Sequence, residues 1–285
     1  MGKFLEDFAK YIKENNGRIF SVAEIIGNNL PEKIEITENN LSQNIYSVSK
    51  MYTVTAIGIL WDRGLLKTED TVTEILGDEC PDGYEPYWDS TTVDMLIRHM
   101  TGFPGGFDTD VDDASQYNPD YLKEIMMKKW VCPPETERHY EDAHYYILSR
   151  IVNKISGKPL FQFCWENIFL PLEFKEASWS CCPKGYAIGA TGLYVRVEDM
   201  IKLGAVHLNG GEYRGKRIVS SDWVKIVLER EYEFKRNGIK DSYNKGGLYG
   251  QELLVMPCEN RVVAWQGCDR RPQTLDFTKY AAEYK

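Results

Sequence analysis

The stretch Ile45-Tyr46-Ser47-Val48-Ser49-Lys50 opens the longest helix that the pattern predicts and sets a serine three residues before a lysine. That helix is expected from Ser47 to about Arg63, with Met51, Val54, Ile57, Leu60 and Trp61 on one face and Gly64 ending it. At i,i+3 spacing Ser47 and Lys50 share a face. A hydroxyl is a poor nucleophile until its proton is taken, and an amine with a lowered pKa can take it. The helix N-terminus adds N–H groups and a partial positive charge where an oxyanion would form. The motif is short, expected by chance about once in a chain of this size, and it recurs at Ser242–Lys245. Taken alone, the plainer reading makes Ser47 an N-cap and Lys50 a solvated first-turn lysine.

Working outward, composition narrows the class. The 285 residues are 43% hydrophobic and 27% charged, which argues a folded chain of one large or two small domains. A net charge of −9 without a clustered basic patch argues against a nucleic-acid partner. The seven cysteines, including the adjacent Cys181 and Cys182, form neither a metal-ligand spacing nor an even disulfide set, as in a reducing cytosol. Residues 1–17 alternate charges with Phe4, Leu5, Phe8 and Ile12, an amphipathic helix and not a signal peptide. Glu6 breaks a myristoylation pattern, and no apolar run is long enough to span a bilayer. The expectation is a cytoplasmic protein without a membrane partner; its oligomeric state is not legible.

Strands are predicted at Arg18–Ile26 and Glu32–Ile36, and helices at Thr91–His99, Pro119–Lys128, His144–Ile155, Leu160–Asn167 and Val197–Leu208. Gly250–Met256 and Arg261–Gln266 read as a hairpin, followed by a closing helix from Gln273 to Tyr284. The fold class is therefore α/β (α+β): a sheet built from both ends of the chain around a helical insertion, with a cleft between them. The expected division is an α/β subdomain of residues 1–65 and 190–285 and a mostly helical subdomain of residues 66–189.

Two further segments carry chemistry. Tyr140 and Asp142, two apart before a helix, would point the same way, and a phenol can share a proton with a neighbouring ammonium. The structural alternative is a buried tyrosine followed by an N-cap aspartate. In Lys245-Gly246-Gly247-Leu248, glycines at the head of a strand let a ligand approach the backbone while Lys245 supplies charge; the alternative is a flexible turn.

In order, Ser47-Val48-Ser49-Lys50, Tyr140-Glu141-Asp142 and Lys245-Gly246-Gly247 resemble the Ser-x-x-Lys, Tyr-x-Asn and Lys-x-Gly boxes of the serine β-lactamase and penicillin-recognising hydrolases. The tyrosine box is similar to the class C-like branch of esterases, amidases, D-amino-acid peptidases and 6-aminohexanoate-dimer hydrolases. The likeness extends through residues 46–72, 97–104, 145–174, 189–224 and 246–265, nearly the whole chain. It implies a β-lactamase-like antiparallel sheet flanked by terminal helices, Ser47 as nucleophile, and Lys50 with Tyr140 as base and proton relay. It further implies an oxyanion hole from the N–H groups of Ser47 and Leu248, with Lys245 steadying substrate or the Tyr140 phenolate. Gly247 and Asp142 would line the substrate site. No cofactor or metal is implied, and the partner is a small-molecule substrate.

Three departures qualify the resemblance. Asp142 stands where the family has asparagine, adding an anion that would hold Lys50 protonated. Gly246 replaces a threonine or serine whose hydroxyl helps bind the carboxylate of β-lactams. The segment before Ser47 is short for the family's first strands. Trp265-Gln266-Gly267 is a rival third box, rejected because no strand pair can follow it. His99, His139, His144 and His207 lack a plausible nucleophile partner, and His139 and His144 lack a zinc-helix spacing. The sequence therefore predicts a serine hydrolase of small esters, amides or peptide-like substrates with weak β-lactam turnover. The alternative is a non-catalytic binding or sensor protein. Specificity would reside in loops 78–89 and 102–118.

Overall fold

The β-branched runs near the two ends of the chain pair with each other. Ile19–Ile26 lies antiparallel to Arg261–Gly267, with Val22 opposite Trp265 and Ala23 opposite Ala264. The computed structural model describes residues 2–107, 118–269 and 274–284. These two strands are the second and third of a six-stranded antiparallel sheet. Its order is Glu32–Glu35, Ile19–Ile26, Arg261–Gly267, Gln251–Met256, Tyr243–Gly247, Lys235–Arg236. The predicted hairpin is present, turning through Pro257–Glu259 and Asn260 at φ 49°. Two strands of this sheet precede Ser47.

The amphipathic Lys3–Glu14 helix and the Thr274–Glu283 helix cover one face of the sheet. Phe4, Phe8, Ile12 and Phe277 pack there on Val22, Leu254, Val263 and Trp265. Trp265 is thus a core residue of the last strand. Gln273, where the closing helix was expected to begin, lies outside the described residues. The opposite face takes the Val197–Leu208 helix, observed with its predicted bounds.

The helix after Ser47 runs Ser49–Asp62 and is buried at every position from Ser49 to Leu60. The expected single apolar face was too narrow a reading. A helix hydrophobic all round is surrounded, here by the Asp142–Ser156, Leu160–Cys164 and Ser221–Glu229 helices among others. Nor is it the longest: Asp142–Ser156 has 15 residues against its 14. It ends as predicted, with Gly64 at φ 67° and bonds from Leu65 N–H to Leu60 O (3.0 Å) and Gly64 N–H to Trp61 O (2.9 Å).

Other predicted helices appear as Val93–Arg98, Tyr121–Met127 and Leu160–Cys164, the last continuing through a π-turn to Phe169. A three-stranded sheet of Ser42–Asn44, Leu193–Arg196 and Ser178–Trp179 was not predicted. It bears on the site because it fixes the chain just before Ser47. Lys245 also corrects an expectation. It lies inside the Tyr243–Gly247 strand, not at the head of one, and the turn follows at Leu248–Gly250. Of loop 102–118, residues 108–117 lie outside the described residues.

Candidate active site

Ser47 sits in a 3-10 turn, Tyr46–Val48, that runs directly into the Ser49–Asp62 helix. The Ile45 N–H bonds Leu193 O at 2.9 Å, and Asn44 Oδ1 accepts the Tyr46 N–H at 2.8 Å. These contacts hold Tyr46 at φ 46°, a conformation costly for a non-glycine residue and sustained only where the surroundings over-determine it. No side chain caps the turn or the helix, so Ser47 is not serving as an N-cap. Its Oγ instead accepts from Lys50 Nζ at 3.3 Å.

Lys50 is fully buried and uses all three ammonium donors, to Ser47 Oγ, to Asp142 Oδ1 at 2.6 Å and to Ala190 O at 3.1 Å. Burial pushes its pKa down, but Tyr140, Asp142 and Glu233 outweigh that and hold it above the ordinary lysine value. Lys50 is therefore an ammonium near neutrality. Asp142 opens the Asp142–Ser156 helix, and the cap position before it, Glu141, makes no side-chain bond. The aspartate is spent on Lys50, not on the helix end.

Tyr140 joins this group from the other side. Its hydroxyl accepts from Lys245 Nζ at 3.2 Å, and its ring centroid lies 4.8 Å from Lys50 Nζ and 5.1 Å from Lys245 Nζ. Gly247 packs on the turn before Ser47, where an added Cβ would come within 2.6 Å of Ile45 O. That contact sets Leu248, half-exposed, at the start of the turn after the strand. Gly246 lies opposite Glu252 on the neighbouring strand. Burial raises the Glu252 carboxyl to about 7, against opposing help from Asn244 and Lys245.

Three residues behind Lys245 went unassigned in the sequence. Glu233 pairs with Lys245 and also bonds His99 Nε2 at 2.8 Å. Burial opposes ionisation of Glu233, but Lys245 and His99 together hold it well below the usual carboxylate range. Burial keeps His99 and His144 neutral, the latter strongly. One set of tautomers then satisfies every contact. His99 Nε2–H donates to Glu233, and His99 Nδ1 accepts from the Glu141 N–H (3.2 Å) and from His144 Nδ1–H (2.9 Å). His144 Nε2 accepts from the Thr101 hydroxyl at 2.7 Å. The sequence signal for this chain of contacts is the family likeness of the segment Ile97–Pro104; nothing in the sequence marks Glu233.

The second Ser-x-x-Lys dissolves. Ser242 is buried, and its hydroxyl donates toward Asn237 Oδ1 (2.8 Å) and Ile239 O (2.6 Å). Ser242 lies in the turn before the Tyr243–Gly247 strand, its N–H bonded to Ile239 O at 3.0 Å, whereas Lys245 is inside the strand and reaches Tyr140 and Glu233. His139 and His144 also separate. His144 faces His99, whereas His139 joins Cys132 and Glu137 in the one His/Cys/acid cluster of metal-binding geometry among the described residues. All seven cysteines are free. No helix among the described residues is long and apolar enough to cross a membrane.

A family model described as Beta-lactamase matches residues 32–266. Penicillin-binding protein 4 of Amycolatopsis lactamdurans is 29% identical over 148 residues, covering 50% of this chain and 37% of that protein. The chain spans less than half the length of most curated relatives it matches. Among solved structures, a penicillin-binding protein homolog from Caulobacter crescentus superposes with a TM-score of 0.76 at 12% identity, covering 98% of this chain and 96% of that one. A family VIII carboxylesterase gives 0.75 at 15% identity with the same coverage. At these identities the structures speak for the fold.

Proposed function

This chain belongs to the beta-lactamase family of hydrolases, and from that premise we propose that it cleaves a small ester, amide or peptide-like bond through an acyl-enzyme on Ser47. The single observation that carries the reading is the convergence of Ser47, Lys50, Tyr140 and Lys245 from three separate segments: two hydrogen-bonded pairs, Lys50–Ser47 and Lys245–Tyr140, joined by the Lys50 ammonium over the Tyr140 ring. With Lys50 held as an ammonium, the Tyr140 oxygen is the proton acceptor for the Ser47 hydroxyl. The ammonium groups of Lys50 and Lys245 stabilise the negative charge that Tyr140 carries in that role. Ser47 Oγ bonds the substrate carbonyl carbon and the carbonyl oxygen takes the electron pair; as that oxygen re-forms the carbonyl, the bond to the leaving group breaks and Tyr140 gives the leaving group its proton. Water then attacks the acyl carbon while Tyr140 accepts its proton, and the carbon–Oγ bond breaks as Tyr140 returns that proton to Ser47, releasing the acid. The N–H groups of Ser47 and Leu248 receive the oxyanion. The first N–H groups of a helical turn have no partner within it, which supports that role.

Gly246, without a hydroxyl and opposite the buried Glu252, supports weak recognition of a carboxylate-bearing β-lactam. The division into residues 1–65 with 190–285 and a helical 66–189 belongs to the same proposal, the boxes lying where the two meet. A small molecule is the proposed substrate, and the cytoplasm the proposed compartment.

The close Lys50–Asp142 pair favours a second reading, a binding or sensor protein whose serine is no longer activated. Intact-mass analysis after incubation with a fluorophosphonate separates the two. A single adduct on Ser47, lost in Ser47→Ala, is expected of the hydrolase. An unmodified chain, or an adduct that survives Ser47→Ala, overturns it.

A further inference from the structure

We propose that Cys132, Glu137 and His139 form a binding site for one zinc-class divalent cation, on the loop that delivers Tyr140. Cys132 and Glu137 both converge on one atom of His139. His139 Nε2 lies 3.8 Å from Cys132 Sγ and 3.6 Å from Glu137 Oε2, and the three ligand atoms lie within 4.8 Å of one another. Tetrahedral zinc, with bonds of about 2.0–2.3 Å, holds thiolate and imidazole about 3.6 Å apart and imidazole and carboxylate about 3.4 Å apart. Both separations from His139 match to about 0.2 Å, and Cys132 and Glu137, within 4.8 Å of each other, close the third side by a movement of the exposed Glu137 carboxylate.

The backbone is already arranged for it. Val131 N–H bonds Gly102 O, Glu135 N–H bonds Met100 O, and His139 N–H bonds His99 O, each at 2.9 Å. Gly102 is pressed so closely on the Cys132 carbonyl that any side chain there would collide with it. The loop is thus stitched to the 99–102 segment at three points along its length. Holding ligands before the metal arrives lowers the ordering cost of binding. Cys132 and His139 are partly buried, while Glu137 is exposed and leaves an approach from solvent.

The donor set selects the ion. A thiolate and an imidazole favour zinc, cobalt or copper over magnesium or calcium, which prefer all-oxygen sites. Binding converts the Cys132 thiol to a thiolate and releases its proton to solvent, and water completes the fourth position. Because His139 adjoins Tyr140, a bound ion fastens the loop that presents the phenol to Lys245.

Titration of metal-stripped protein with Co²⁺ tests it, with Zn²⁺ competition as a second measurement. The expected result is a thiolate-to-cobalt charge-transfer band that saturates at one equivalent and is displaced by Zn²⁺. Cys132→Ser abolishes the band, and Glu137→Gln and His139→Gln weaken binding at least about tenfold. Cys181→Ser and Cys258→Ser, which change exposed cysteines elsewhere, retain it. Equal metal-free melting temperatures of Cys132→Ser and the parent establish that the variant is folded. Glu137→Gln, altering an exposed side chain, serves if they differ. No saturable band in the parent, or a band that persists in Cys132→Ser, overturns the proposal.

Discussion

Lys50 Nζ stands 2.6 Å from Asp142 Oδ1 and 3.3 Å from Ser47 Oγ, so the residue best placed to activate the serine is itself neutralised by a closer anion. The buried ammonium must be compensated, because an unpaired buried charge costs several kcal/mol, and Asp142 with Glu233 supplies that compensation. The same charges that make Lys50 tolerable in the interior make it a poor base. This places the demand for a base on Tyr140.

Asp142→Asn tests that balance. Removing the anion lowers the Lys50 pKa, so the proton held between Lys50 and Tyr140 leaves at lower pH. The ascending limb of kcat/KM against pH should move down by roughly one to three units, and the rate at neutrality should rise. The stability effect has the opposite sign. A raised lysine pKa contributes stability that is fully present below the ordinary lysine value and is lost only as pH rises through the higher folded value. The variant should therefore melt lower across the neutral range. An unmoved limb in a folded variant would assign Asp142 a structural role alone.

Glu233 is predicted to position Lys245 and His99 without touching substrate. Glu233→Gln leaves Lys245, 7% exposed, without its carboxylate, and breaking a buried pair costs about 3–5 kcal/mol. In urea unfolding, Glu233→Gln combined with Lys245→Met should recover much of that loss, since the orphaned charge is gone. Additive losses would show that the pair does not couple.

How much of this was legible follows from chain distance and periodicity. The Gln251–Met256 and Arg261–Gly267 hairpin and the Val197–Leu208 helix show in the sequence because their own residues carry the period and the stop signals. Ser42–Asn44 is three polar residues whose strand character comes wholly from its partner Leu193–Arg196, so no local pattern exists to find. Tyr243–Gly247 ends in two glycines, which argue against a strand locally, yet pairing with Gln251–Met256 overrides them. In the site, Ser47, Lys50, Tyr140 and Lys245 were marked by spacing and by likeness. Glu233 was not, because its role arises only when the chain folds back onto His99, 134 residues away.

Glu252 predicts a pH-dependent stability of unusual sign for a carboxylate. Its folded pKa, pushed up to about 7 from an ordinary 4.5, means the folded state holds a proton that the unfolded state releases. Stability should fall as pH rises from the ordinary value to about 7 and then level off. Glu252→Gln keeps an oxygen for Asn244 Nδ2, now at 2.7 Å, and should be the more stable protein above pH 7. The gain is at most about 3.5 kcal/mol, at about 1.4 kcal/mol per unit. Thermal melts at pH 5 and pH 8 check it, and an equal difference at both would remove the ionisation argument.

Gly246 makes the last prediction, on substrate choice. A hydroxyl at this strand position would add one charge-assisted hydrogen bond to a substrate carboxylate, worth about 1.5–3 kcal/mol, or roughly ten- to a hundredfold in kcat/KM. The parent should therefore turn over a short-chain ester faster than a chromogenic cephalosporin by at least that factor. There is room to restore the hydroxyl: a Cβ at Gly246 would meet only Glu252 Oε2 at 3.5 Å and Gln251 O at 3.8 Å, both ordinary contacts. Gly246→Thr should raise cephalosporin kcat/KM about tenfold and leave the ester within about twofold, because the ester has no carboxylate to bind. The gain should be larger at pH 6 than at pH 8, where ionised Glu252 on the adjacent strand repels the same carboxylate. Equal changes for both substrates would show that the threonine alters the strand itself and not the recognition of charge.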